Sequence, residues 1–254
     1  MKNRVNKNSE AGEFYGVGVG PGDSELITLK AVRIIKSVDC IFAPRADSKK
    51  SSLALDIVKD ITAGKRIVEQ IYPMVKDKTK LEAAWRKSAN EIKDEIESGN
   101  SVAYLTIGDP LTFSTYCYLL QQLSKIIPSQ NIHTIPGITS YNAAASLANF
   151  PMIEQDEKLA IIPVSNDISE LRPVLNNFDT VVLMKVAKKL DEVIELLEEM
   201  KLIHNSLFAS YVGFDNEYIT RDLSSLKRSG KGYLSVIIVR KINSYSQTIC
   251  SILC

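Results

Sequence analysis

The chain has 254 residues, of which 45% are hydrophobic and 24% charged, and its formal net charge is +1. This is the balance of a globular chain with one large domain or two of ordinary size. Near-neutrality excludes a global field that would draw it to nucleic acid or to an anionic membrane.

No apolar run approaches the ~20 residues that span a bilayer. The polar residues 1–12 lack the run of roughly 7–15 apolar residues that a secretory signal requires. A cytoplasmic protein with no nucleic-acid or membrane partner is expected, with residues 1–12 as a disordered leader. The four cysteines, Cys40, Cys117, Cys250 and Cys254, match no zinc spacing, and only His133 and His204 accompany them. Reduced thiols and no metal site are expected.

In chain order, residues 14–19 read as a short buried strand closed by Gly20-Pro21-Gly22-Asp23. Leu26, Leu29, Val32, Ile35 and Val38 then recur at helical spacing, with Asp23 or Thr28 as cap. Residues 40–43 form a second strand closed by Pro44. Residues 53–61 predict a helix, 65–71 a strand, and 80–98 a long amphipathic helix stopped by Gly99. Residues 101–106 are a strand, and Gly108-Asp109-Pro110 turns the chain into a helix over 113–123. Alternation of short strands with helices predicts an α/β domain over residues 13–123 with a mainly parallel sheet.

A linker is expected at 124–130, where Pro128 and polar residues interrupt the pattern, followed by a second α/β domain over 131–254. Its strands are predicted at 132–135, 159–164, 180–184, 206–211 and 233–239. Its helices are predicted at 140–148 and 190–200.

Three strand-to-helix turns carry the chemistry. In Gly16-Val17-Gly18-Val19-Gly20-Pro21-Gly22-Asp23 the glycines permit sharp turning and close backbone approach. The spacing fails a dinucleotide fingerprint, because its third glycine falls on Pro21 or Asp23, and no Gly-Lys-Ser/Thr follows for a phosphate loop. A connecting turn is the plain alternative. Thr106 to Phe113, around Gly108-Asp109-Pro110, sits where open α/β sheets bind ligands, although Asp109 can equally cap the next helix. In Pro136-Gly137-Ile138-Thr139-Ser140 the two hydroxyls can cap a helix or hydrogen-bond a ligand near its positive end.

Together, Gly-x-Gly-Pro-Gly-Asp, Gly-Asp-Pro and Pro-Gly-Ile-Thr-Ser resemble the tetrapyrrole methyltransferase family, over residues 13–239. Ile71-Tyr72-Pro73-Met74 with Asp77 and Leu81-Glu82-Ala83-Ala84-Trp85 resembles the branch that methylates carbon 20 of precorrin-2 or cobalt-factor II. So do Phe42-Ala43-Pro44-Arg45 with Ser51-Ser52-Leu53-Ala54-Leu55, and Phe150-Pro151.

The resemblance implies two α/β domains with mainly parallel or mixed sheets, S-adenosylmethionine in the inter-domain cleft, and a homodimer. It implies cofactor contacts from Ile107, Gly108, Asp109, Thr112, Thr139, Ser140, Met184 and Val212. At Val212, the segment Ser210-Tyr211-Val212-Gly213 departs from the charged pair common in the family. Gly20, Pro21, Gly22 and Asp23 would line the tetrapyrrole side. The implied substrate carries eight carboxylates, so a basic rim is expected, with Arg45 as its best member and Lys30, Arg33, Lys49 and Lys50 beside it. Asp109 and Asp23 are the candidates for removing the displaced meso proton, with water as the alternative. Other readings within the family are a different regiospecificity or a protein-methylating relative acting on a modified histidine. Outside it stands a noncatalytic ligand-binding module.

Overall fold

The computed structural model describes residues 11–45, 51–72 and 77–241, and divides the chain into two compact units, Met1–Thr139 and Ser140–Cys254. The first unit runs β1 (Phe14–Gly18), α1 (Leu29–Ser37), β2 (Cys40–Arg45), α2 (Leu53–Ile57), β3 (Arg66–Ile71), α3 (Lys78–Glu97), β4 (Val102–Thr106), α4 (Tyr116–Leu123) and β5 (Ile132–Ile135). Its sheet has the order β3-β2-β4-β1-β5, and every pairing is parallel. Central strands of a parallel sheet are covered on both faces, and all five residues of β4 are buried. On one face Phe14, Phe42, Tyr104, Trp85, Ile92, Tyr116 and Leu119 form a continuous core with α3 and α4. Each such side chain contributes roughly 1.5–3 kcal/mol through burial.

The second unit runs α5 (Ser140–Leu147), β6 (Leu159–Pro163), α6 (Leu171–Asn177), β7 (Thr180–Met184), α7 (Leu190–Glu199), β8 (Ser206–Ser210), β9 (Tyr218–Thr220) and β10 (Ser235–Arg240). Its sheet, β6-β7-β10-β8-β9, is mixed: β6 and β7 are parallel, and the other pairs are antiparallel. Leu190, Val193, Ile194 and Leu197 of α7 pack on Leu183, Phe208 and Ile237. Arg240 ends β10 almost fully buried, donating to the Pro151 carbonyl at 2.8 Å and pairing with Glu154 at 2.8 Å and Glu157 at 3.0 Å. Two carboxylates compensate its desolvation.

Two α/β units are as the sequence predicts, but the boundary is not at 124–130. Residues 132–135, expected to open the second domain, form β5 and pair with β1. Pro128 interrupts only a connection within the first unit. The helix expected from residue 26 splits into a turn at Ser24–Leu26 and α1, because Asp23 and Thr28 each cap their own start. The one expected over 53–61 breaks after Ile57. Pro44 lies inside β2, where only β3 still pairs with it, so its missing N–H is tolerated. The last predicted helix of the first domain begins at Tyr116, after Phe113 adopts φ +52° and Ser114 Oγ accepts the Tyr116 N–H. Gly12, assigned to the leader, donates its N–H to the Ile96 carbonyl at 2.8 Å. Residues 1–10 lie outside the described residues. No described helix is long and apolar enough to cross a membrane.

Candidate functional site

β4, β1 and β5 are adjacent and parallel, so all three predicted motif turns leave the same edge of the first sheet. Past the last paired residues the loops continue to bond to one another. Val19 N–H donates to the Thr106 carbonyl at 2.9 Å, and Gly108 N–H to the Gly20 carbonyl at 2.7 Å. Asp109 fastens the third loop. Its Oδ2 accepts the Gly137 N–H at 3.2 Å, while Oδ1 accepts from the Leu111 N–H at 2.9 Å and the Thr112 hydroxyl at 3.3 Å.

Backbone crowding explains the glycines. A Cβ on Gly137 would stand 2.1 Å from the Gly108 carbonyl oxygen, and one on Gly18 would stand 2.6 Å from the same atom. Three chain segments touch with no room for a side chain. The first motif is therefore more than a connection: its glycines let the other two turns close over it.

Thr139 ends this unit with an unexplained group. Its Oγ1 is buried with no hydrogen-bond partner among the described residues, so it is not spent capping a helix. An unsatisfied buried hydroxyl costs about 1–3 kcal/mol, and such groups call for a ligand or a bound water. Ile107 and Thr112 are half-buried beside Gly108 and Asp109. The donor set suits a small polar ligand held by backbone and hydroxyl groups.

The carboxylate candidates have turn roles. Asp23 Oδ1 accepts the Glu25 N–H at 2.8 Å, and Asp109 uses both oxygens in the loop staple. Arg45 stands at the end of β2, at the same sheet edge, and is paired with Glu69 from β3. Lys30 and Arg33 are exposed on α1, while Lys49, Lys50, Cys250 and Cys254 lie outside the described residues. Among the described residues no group of three or more His, Cys, Asp or Glu side chains could hold a metal ion.

The remaining predicted residues belong to the second unit, where Ser140 starts α5. β7 and β8 flank β10 and both run antiparallel to it, so their carboxyl ends share one edge. Met184 ends β7, half-buried, and Val212 follows β8, buried. This edge has a feature that the sequence did not reveal. Lys185, Tyr211 and Leu234, which adjoin three neighbouring strands, all adopt left-handed backbone, at φ +59°, +51° and +47°. The Tyr211 N–H donates to the Leu234 carbonyl at 3.0 Å. Each non-glycine residue there costs about 1 kcal/mol or more, and such strain clusters at functional sites. None is glycine or asparagine, so no local sequence signal marks them.

Residues 13–226 match the family of tetrapyrrole (corrin/porphyrin) methylases. The chain is 38% identical over 186 residues to a probable cobalt-precorrin-2 C(20)-methyltransferase of Methanocaldococcus jannaschii, spanning 73% of this chain and 77% of that one. It is 32% identical over 238 residues to the cobalt-precorrin-2 C(20)-methyltransferase of Salmonella typhimurium, spanning 93% and 99%. The fold is similar to the X-ray structure of a cobalt precorrin-4 methyltransferase, with a TM-score of 0.68 over 89% of this chain and 94% of that one, at 18% identity.

Proposed function

This chain belongs to the tetrapyrrole (corrin/porphyrin) methylases, and on that premise we propose that it methylates carbon 20 of cobalt-precorrin-2 or cobalt-factor II. The activity is methyl transfer from S-adenosylmethionine in cobalamin synthesis. The observation that carries the reading is the loop cluster of the first sheet: three motif turns joined by backbone hydrogen bonds and by Asp109, with the unpartnered Thr139 hydroxyl beside them. The two relatives that share about a third of the sequence are named for this methylation.

When bound, S-adenosylmethionine supplies a strongly electrophilic methyl group. The protein's part is binding and orientation, which alone is worth a large effective molarity. Gly108 and Gly137 present backbone at close quarters, Thr139 offers its hydroxyl, and Ile107 and Thr112 add half-buried surface. By the family resemblance, Ser140, Met184 and Val212 are further candidate cofactor contacts. Gly20, Pro21, Gly22 and Asp23 line the tetrapyrrole side, and Arg45 exchanges Glu69 for a substrate carboxylate, which its guanidinium fork suits. Asp109 and Asp23 are committed to their turns, so the meso proton passes to water. The working form is a cytoplasmic homodimer.

The test is methyl transfer from labelled S-adenosylmethionine to cobalt-factor II and to metal-free precorrin-2, side by side, with the new methyl located by NMR. Transfer to carbon 20, faster with the cobalt ring, is expected. Transfer to neither ring, or methylation at another carbon, overturns the reading.

A further inference from the structure

Three aromatic rings from separate elements of the first unit stack in a column. Tyr72 follows β3, Trp85 lies two turns into α3, and Tyr118 sits in the first turn of α4. The Tyr72 and Trp85 rings are 4.0 Å apart between centroids at 26°, and the Trp85 and Tyr118 rings 5.6 Å apart at 25°. The foot of the column is buried and locked. The Tyr72 hydroxyl donates to Gln70 Oε1 at 2.8 Å, and Gln70 Nε2 donates to the Ser88 carbonyl at 3.3 Å and to Glu91 Oε2 at 3.0 Å. The other end is open: Tyr118 is 55% exposed, whereas Trp85 and Tyr72 are each 6% exposed.

Packing alone explains Tyr72 and Trp85. It does not explain a large exposed ring held against them, because a solvent-facing helix position ordinarily carries a polar side chain. The position of the column suggests an occupant. α3 and α4 begin where β3 and β4 end, so their first turns stand at the carboxyl edge of the sheet that carries the three motif loops. Leu111 and Phe113, on the loop entering α4, are also exposed. At the foot, the Tyr72 N–H donates to the Arg45 carbonyl at 3.0 Å, which brings a cationic residue to the same edge. An exposed ring face and, toward the foot of the column, a guanidinium paired with Glu69 share one sheet edge, and together they suit a broad flat conjugated ring fringed with carboxylates.

We infer that Tyr118 is the surface on which the tetrapyrrole plane rests, with Trp85 and Tyr72 as its fixed backing. This deepens the proposed function and depends on it. Stacking on an aromatic side chain is sequence- and substituent-tolerant but needs the ring. Trp85 is the only tryptophan of the chain, so its emission reports occupancy directly.

Wild type, Tyr118→Ala, Tyr118→Leu and Tyr118→Phe are titrated with cobalt-factor II by Trp85 quenching, and with S-adenosylmethionine by calorimetry. Tyr118→Ala and Tyr118→Leu should bind the tetrapyrrole about tenfold more weakly, Tyr118→Phe as wild type, and all four should bind S-adenosylmethionine alike. Wild-type binding that survives undiminished in Tyr118→Ala, or is restored by Tyr118→Leu, overturns this inference and leaves the proposed function standing. Equal weakening of both ligands also overturns it, since that marks a fold defect. No tetrapyrrole binding by wild type removes both.

Discussion

Among the described residues at the carboxyl edge of the first sheet, the left-handed backbone falls on Gly20 and Gly108, at φ +80° and +69°, with Phe113 the one side-chain-bearing exception. The second sheet places Lys185, Tyr211 and Leu234 in the same region. In the first unit the left-handed turns are given to glycine, and beside them backbones press so closely at Gly18 and Gly137 that a Cβ would stand 2.6 Å and 2.1 Å from the Gly108 carbonyl oxygen. In the second, side chains are kept although the backbone conformation disfavours them. Tyr211 shows why: its ring packs against Phe214 and Tyr233, at 6.5 Å and 6.0 Å between centroids. Glycine marks where chains must touch, and strained non-glycine residues mark where a side chain is needed despite its cost.

The sharpest way to break this contrast is Gly137→Ala. Its methyl group would meet the Gly108 carbonyl, so one of the three loops must move, at a cost of about 2–4 kcal/mol. Urea denaturation should show that loss; a change below about 0.5 kcal/mol would mean the loops yield freely and the crowding is unimportant.

Alkaline titration probes the first unit through its aromatic column. Burial pushes the Tyr72 hydroxyl up to about 12 and holds that of Tyr104 well above its ordinary value. The unfolded chain loses these protons near pH 10. Stability is therefore full below about pH 10 and falls above it, by roughly 1.4 kcal/mol per pH unit for each such group, until the folded hydroxyl itself ionises. Urea midpoints from about pH 9 to about pH 11 should fall less steeply in Tyr72→Phe than in wild type. Parallel slopes would show that Tyr72 ionises equally in both states.

Asp109→Ala removes the acceptor for the Gly137 N–H, the Leu111 N–H and the Thr112 hydroxyl. A loss of about 1–2 kcal/mol is expected, with weaker S-adenosylmethionine binding seen by calorimetry. Full retention of affinity would separate the staple from the cofactor site.

The smallest effect is expected from Lys185→Asn. Asparagine eases the left-handed backbone but gives up the lysine side chain, so the two effects offset and thermal denaturation should stay within about 0.5 kcal/mol of wild type. A loss above about 1 kcal/mol would show that the lysine side chain holds this edge together.

Much of the fold is legible in local pattern. Val102 to Thr106 reads as a buried strand because successive apolar residues suit a sheet covered on both faces, and Thr28 reads as a cap because its oxygen meets the Ala31 N–H at 3.1 Å. The three motif turns are legible for the same reason, since turn chemistry depends on a few neighbouring residues. β9 is not legible, because three residues at an edge carry too little periodicity. The sheet membership of β5 was missed because Pro128, which breaks the pattern before it, says nothing about which strand the chain returns to.

The chain's own order of residues was enough to determine the alternation of strand and helix, the glycine-bearing turns and the family they resemble, all of which depend on contacts between near neighbours. Only the tertiary structure decided that Asp109 reaches Gly137, that Thr139 is left without a partner, and that Tyr72, Trp85 and Tyr118 stack. Those facts depend on strand register and helix placement, which join residues far apart in the chain, and no local propensity records which distant groups burial will bring together.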